Sequence, residues 1–184
     1  MQQTPQSTAR LFFALWPTDG VREGLYKASR PAVDAADGKP VTAANLHMTL
    51  VFLGSVDPEG EARAHGAAAS VHGEPFSLEL DSFGHWPEPQ VLWCGASKVP
   101  DAARALTARL RERLVSAGLK PDTKNFVPHV TLVRKVRWPG ALGSFGPLSW
   151  AAKDFTLVRS VTGRNGSEYS PLATYALDAG GNVK

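Results

Sequence analysis

Asn45-Leu46-His47-Met48-Thr49-Leu50-Val51-Phe52-Leu53 decides how the chain is read, because Val127-Pro128-His129-Val130-Thr131-Leu132-Val133 repeats it downstream. Both stretches run His, apolar, Thr, Leu, Val, and His47 and His129 stand 82 positions apart in a chain of 184. A repeat at nearly half the chain length points to two similar half-domains. Each copy sits in an apolar run about as long as one strand, so both are read as strands. Side chains on a strand alternate faces, which places His47 and Thr49 on one face and Met48 and Leu50 on the other; His129 and Thr131 follow the same rule.

With five histidines and eleven threonines in the chain, chance gives about 0.3 His-x-Thr pairs, so one match would be weak. Two matches, each followed by Leu-Val, form a specific pattern. If the halves face each other, two imidazoles and two hydroxyls converge on one cleft. An unperturbed histidine titrates near 6.5, so one ring can serve as base and the other as acid around neutrality. In-line displacement at phosphorus needs that pair on opposite sides of the reacting atom. The threonine hydroxyls can donate to non-bridging phosphoryl oxygens, where transition-state charge concentrates.

The paired motifs resemble those of the two-histidine (2H) phosphoesterases. The wording around them is most similar to the LigT-like RNA 2′,3′-cyclic phosphodiesterases, also called the 2′-5′ RNA ligase family. The strings that carry the resemblance are Arg10-Leu11-Phe12-Phe13-Ala14-Leu15, Asn45 to Gly54, Val91-Leu92-Trp93-Cys94-Gly95, Pro128 to Arg134 and Tyr169-Ser170-Pro171-Leu172. The resemblance implies an α+β fold of two pseudo-symmetric lobes, each an antiparallel sheet with flanking helices, around a central cleft. It also implies metal-independent hydrolysis of an RNA terminal 2′,3′-cyclic phosphate to a 2′-phosphomonoester. His47 would then be the proton donor and His129 the acceptor that activates water, with Thr49 and Thr131 orienting the phosphate; the residues themselves do not assign acid and base. Arg134 stands where the family pattern carries a basic residue. Strand parity opposes it, since 129, 131 and 133 share a face and 134 points away unless the strand bulges. Phe12 or Phe13 and Tyr169 are candidates to stack on a terminal base, with burial in the core the expectation for the phenylalanines.

Composition fits this reading. The chain is 43% hydrophobic and 20% charged, as soluble globular proteins are, and its net charge of +3 leans modestly toward a polyanionic partner such as RNA. A single cysteine, Cys94, excludes an internal disulfide framework and a Cys-rich zinc site and suits a reducing cytoplasm. The first nine residues, Met1 to Ala9, are polar and lack the basic start and apolar run of a signal peptide, and no stretch approaches the length needed to span a bilayer. The chain lacks the serine-nucleophile elbow Gly-x-Ser-x-Gly, the zinc motif His-Glu-x-x-His and the phosphate loop Gly-x-x-x-x-Gly-Lys-Ser/Thr. We therefore expect a cytoplasmic monomer without metal or cofactor whose partners are RNA ends or oligonucleotides bearing a cyclic phosphate. Two alternatives share the site: a 2′-5′ RNA ligase or 2′-5′ oligonucleotide phosphodiesterase, and a non-catalytic module binding nucleotide or RNA.

Along the chain, Leu11 to Trp16 reads as a strand, and Thr18 or Asp19 can cap a helix through Val21, Leu25 and Ala28 whose far end lies between Ser29 and Ala35. Gly54 is read as the end of the first motif strand. Asp57-Pro58 starts an Ala-rich helix to Val71. Phe76 to Phe83 and Gln90 to Ala96 read as a hairpin across His85-Trp86-Pro87-Glu88-Pro89. Asp101 to Ala117 is the clearest helix, with Leu106, Leu110 and Leu114 at every fourth position, Gly118 at its end, and an arginine face read as solvated. The second motif strand runs from His129 to about Val136. Trp138 to Pro147 reads as a loop. Phe155 to Thr162 and Tyr169 to Leu177 pair around Gly163-Arg164-Asn165-Gly166. Residues 1–9 and 179–184 read as flexible tails, and no linker divides the chain, so one domain is expected over 1–184.

Overall fold

The computed structural model describes residues 9–163 and 166–178. In chain order these form β1 (Ala9–Leu15), α1 (Asp19–Ala35), β2 (Lys39–Pro40), a short 3₁₀ turn (Ala43–Asn45), β3 (Met48–Val56), α2 (Pro58–Ala69), β4 (Phe76–Leu80), β5 (Ser82–Trp86), β6 (Val91–Gly95), α3 (Asp101–Ser116), β7 (His129–Arg134), β8 (Leu148–Ala152), β9 (Asp154–Gly163) and β10 (Gly166–Ala176). This is an α+β fold with antiparallel strand pairing and three helices. Residues 1–8, 164–165 and 179–184 lie outside the described residues, and with them both expected tails and the Arg164-Asn165 turn. Ala9 already belongs to β1, opposite Val56.

Local signals account for the helix ends. The Thr18 hydroxyl accepts the Val21 N–H at 3.4 Å, and the Asp57 carboxylate accepts the Gly60 N–H at 2.7 Å, each satisfying a donor that the first helical turn leaves open. Leu106, Leu110 and Leu114 are all buried, as their four-residue spacing requires.

Seven strands follow one another in the order β10-β9-β1-β3-β7-β6-β5, and β2 adds to β7; β4 and β8 form a separate two-stranded sheet. The two motif strands are neighbours, yet β3 and β7 pair through a single residue pair, Met48 opposite Val130. Both of those side chains are fully buried. The sheet therefore has two halves, β10-β9-β1-β3 and β7-β6-β5, joined at the motifs. Helices α2 and α3 pack together against the first half, and α1 packs on β7 and β8. Arg159 of β9 grips Glu61 of α2 with both carboxylate oxygens at 2.7 and 2.8 Å.

Three elements differ from the sequence reading. Phe76 to Phe83 is two strands in different sheets: β4 pairs with β8, whereas β5 pairs with β6. Asp81 marks the break, its carboxylate taking the Ser97 N–H at 2.8 Å. The strand β8 follows the glycine-rich loop without alternation strong enough to announce it. Gly54 does not end β3: with φ of +74° it lies beside Leu53, which the β1 pairing skips, and the strand continues to Val56. Among the described residues no helix is long and apolar enough to cross a membrane.

Candidate active site

Each motif histidine is fixed by the backbone two residues before it. His47 Nδ1 lies 2.7 Å from the Asn45 carbonyl oxygen, and His129 Nδ1 lies 2.7 Å from that of Val127. A carbonyl oxygen only accepts, so Nδ1 carries the proton in both rings and Nε2 is left as the reactive nitrogen. The 3₁₀ turn that supplies the Asn45 carbonyl is itself held: Arg22 donates to the carbonyls of Ala43 at 2.5 Å and Pro17 at 3.2 Å. Asn45 Nδ2 donates to the Ser167 carbonyl at 2.9 Å, tying the turn to β10.

The Met48–Val130 pair sets how the motifs meet. Extending that antiparallel register by one residue sets His47 opposite Thr131 and Thr49 opposite His129. Diagonal positions across such a pair lie about 7–8 Å apart along the backbone, so both motif histidines and both threonines sit close to the junction of the two strands. His47, Thr49, His129, Thr131 and Arg134 all line one cleft of about 660 Å³.

Arg134 reaches that cleft through a β-bulge. In the β6–β7 pairing Trp93 faces Thr131 and Leu92 faces Val133, so Leu132 is the extra residue and the parity of the strand changes after it. The exposed Arg134 thereby joins His129 and Thr131 on one face, and its Nη2 donates to the Tyr169 hydroxyl at 3.3 Å. The same irregularity occurs 82 residues earlier: Ala14 faces Thr49 and Phe13 faces Val51, which leaves Leu50 over and turns Phe52 toward the cleft.

Aromatic walls surround both rings. Phe12 lies 4.9 Å from His47 by ring centroids, Tyr169 meets the ring edge-on at 4.9 Å, and Trp16 stacks on it at 5.8 Å. Trp86 meets His129 edge-on at 4.6 Å. Phe13 is wholly in the main core, 6.1 Å from Phe155, whereas Phe12, buried beside His47, and the half-buried Tyr169 both line the cleft. Sequence reading missed Trp86, Trp16 and Arg22. Trp86 sat in a stretch read as a proline-rich turn, and nothing in the spacing of Trp16 or Arg22 ties them to His47.

Burial and positive neighbours set the charge state. Burial, opposed by the Asn45 carbonyl and reinforced by Arg134, His129 and Arg22, lowers His47 to about 4. His129 is lowered as well, by burial first and then Arg134, against the Val127 carbonyl. Both rings are neutral in the free protein at pH 7, and an anion between them would raise both. Arg10, Arg111, Lys124 and Asp122 also line the cleft. Among the described residues no three His, Cys, Asp or Glu side chains gather to hold a metal ion.

The 2′-5′ RNA ligase superfamily model matches residues 21–164. The chain is 33% identical over 169 residues to the RNA 2′,3′-cyclic phosphodiesterase of Escherichia coli, covering 91% of this chain and 96% of that protein. It is 32% identical over 183 residues to the enzyme of the same name from Thermus thermophilus, covering 91% and 90%. Its fold superposes on the crystal structure of E. coli LigT complexed with 3′-AMP with a TM-score of 0.84, at 32% identity over 93% of this chain and 99% of that one. Paired His-x-Thr motifs on adjoining strands, the matched family model and this superposition agree, and the chain belongs to the 2′-5′ RNA ligase superfamily, with a LigT-like fold.

Proposed function

We propose that the protein is an RNA 2′,3′-cyclic phosphodiesterase that opens the terminal cyclic phosphate to a 2′-phosphomonoester by two-histidine acid–base catalysis. One observation carries the reading: two imidazoles, each held through Nδ1–H by a backbone carbonyl, present Nε2 to one cationic cleft. A binding module has no need of two matched rings. The repeated motif, carbonyl clamp and bulge support two pseudo-symmetric lobes whose axis passes between the motif strands.

In this reaction the cyclic phosphate binds between the rings, its non-bridging oxygens taking hydrogen bonds from Thr49, Thr131 and Arg134. The bound anion draws a proton onto His47. Neutral His129 Nε2 accepts a proton from water as the water oxygen bonds to phosphorus. The bond from phosphorus to O3′ breaks, and His47 Nε2–H protonates the departing O3′. The products are a 3′-hydroxyl and a 2′-phosphate, and one proton has moved from His47 to His129, to be returned through solvent. The acid is given to His47 by the family resemblance.

The test is an RNA oligonucleotide ending in 2′,3′-cyclic phosphate, incubated in EDTA. The expected product is the 2′-phosphate, formed at an undiminished rate. A 3′-phosphate product, or activity lost in EDTA and restored by a divalent metal, would overturn the reading.

A further inference from the structure

We propose that the end of the cleft remote from the histidines is a second phosphate site, formed by Arg10 and Lys124, that takes the phosphate 5′ to the terminal nucleotide. This rests on the reaction proposed above and names its substrate: an oligonucleotide end in preference to a free cyclic mononucleotide.

The charge distribution motivates it. The whole chain carries a net charge of +3, and the charged residues lining the cleft are four cations, Arg10, Arg111, Lys124 and Arg134, with one carboxylate, Asp122. A cyclic phosphate brings a single negative charge, which Arg134 and a protonated imidazole already meet. Asp122 is committed locally: its carboxylate lies 3.6 Å from Arg111 and accepts the Phe52 N–H at 3.3 Å. The Asp122 N–H donates to the Phe52 carbonyl at 2.8 Å, so the segment carrying Lys124 is docked on β3. Arg111 also donates to the Lys124 carbonyl, fixing the backbone that bears that lysine. Arg10 and Lys124 remain, both exposed and both without a carboxylate within 4 Å among the described residues.

Position fits as well as charge. Arg10 and Phe12 lie on the same face of β1, about 7 Å apart along the strand, a step comparable to one nucleotide. Phe12 abuts His47, so Arg10 stands one such step farther out. Its guanidinium lies over the Phe52 ring, 5.5 Å from the centroid, which steadies it without neutralising it. The Ser160 side of β9 lies directly across from Arg10 and completes a polar floor.

The experiment compares three substrates: adenosine 2′,3′-cyclic phosphate, its 5′-phosphorylated form, and the dinucleotide ApA ending in 2′,3′-cyclic phosphate. Wild type should show kcat/KM about tenfold higher for the second and third than for the first. The double variant Arg10→Ala/Lys124→Ala should lose that gain, mainly in KM, and leave the unphosphorylated mononucleotide within about twofold. Equal kcat/KM for all three substrates in wild type would overturn the site. So would a gain for the dinucleotide alone, which would assign it to the second nucleoside, or an equal loss on every substrate in the variant. Calorimetric binding of adenosine 3′-phosphate and of ApA 3′-phosphate separates this inference from the reaction. Were no substrate turned over, the reaction would fall, while tighter binding of the dinucleotide to wild type than to the double variant would still uphold the site and equal binding would sink it.

Discussion

A carbonyl oxygen two residues upstream fixes what each motif imidazole can do, and the pH behaviour of the protein follows from it. His47 is lowered from the usual 6.5 to about 4 by burial and cationic neighbours. Above pH 6.5 its ring is neutral whether the chain is folded or not. Below that, the unfolded chain takes up a proton that the folded one refuses, so stability falls from about pH 6.5 to about pH 4 and then levels. The loss is roughly 3 kcal/mol for a shift of this size. Urea midpoints measured across that range should show it, and His47→Ala should make the curve shallower, leaving the part that the likewise lowered His129 contributes. Activity should respond differently. In the free enzyme the acid must be protonated against its depressed pKa, whereas bound phosphate raises it. The alkaline limb of kcat is therefore expected at higher pH than that of kcat/KM; coincident limbs would mean that the bound anion does not act on the rings.

Arg134 is the other decision at this scale. Its guanidinium faces the histidines and bonds to Tyr169. Arg134→Ala should lower kcat/KM about a hundredfold, and Arg134→Lys should recover only part of it, since an ammonium lacks the planar fork that matches phosphate oxygens. A change of less than threefold would remove Arg134 from phosphate contact.

At the scale of elements, the two bulges explain where sequence reading reached and where it stopped. The period-2 rule correctly put His47 with Thr49 and His129 with Thr131, because no irregularity lies within either pair. It failed one residue later, since bulging at Leu50 and Leu132 is set by the partner strands β1 and β6 and leaves no mark on the motifs themselves. Helix ends were legible because Thr18, Asp57 and Gly118 act through contacts only a few residues long. The division of β4 from β5 was not legible, because it depends on pairing with β8, about 70 residues downstream. Trp86 was hidden for a different reason: the hairpin was legible, but its turn was read as starting at His85, whereas β5 runs on through Trp86, which pairs with Val91 and meets His129. That wall depends on a glycine. A Cβ at Gly84 would collide with the Trp93 indole, and Trp93 packs on Trp86 at 5.1 Å. Gly84→Ala should therefore destabilise the protein by about 1–3 kcal/mol and lower turnover as the Trp86–His129 contact shifts. Thermal melting and kinetics on the same variant would check both effects.

For the molecule as a whole, a single cysteine reports on the integrity of the joined sheet. Cys94 lies in β6 with no exposed surface, and burial pushes its thiol up to about 12. It should resist a thiol reagent in native buffer and react only as the chain unfolds; rapid native labelling would show the β6–β7 half opening by itself. The larger claim is that two sheet halves meet at Met48 and Val130 so that imidazoles distant in sequence act on one phosphorus atom. Single-turnover kinetics of His47→Ala, His129→Ala and the double variant on one RNA ending in 2′,3′-cyclic phosphate tests it most directly. Each single variant should fold as wild type does and lose at least about a thousandfold in rate, and the double variant should lose little more, as residues acting as one unit do. Undiminished turnover in both single variants would contradict the account.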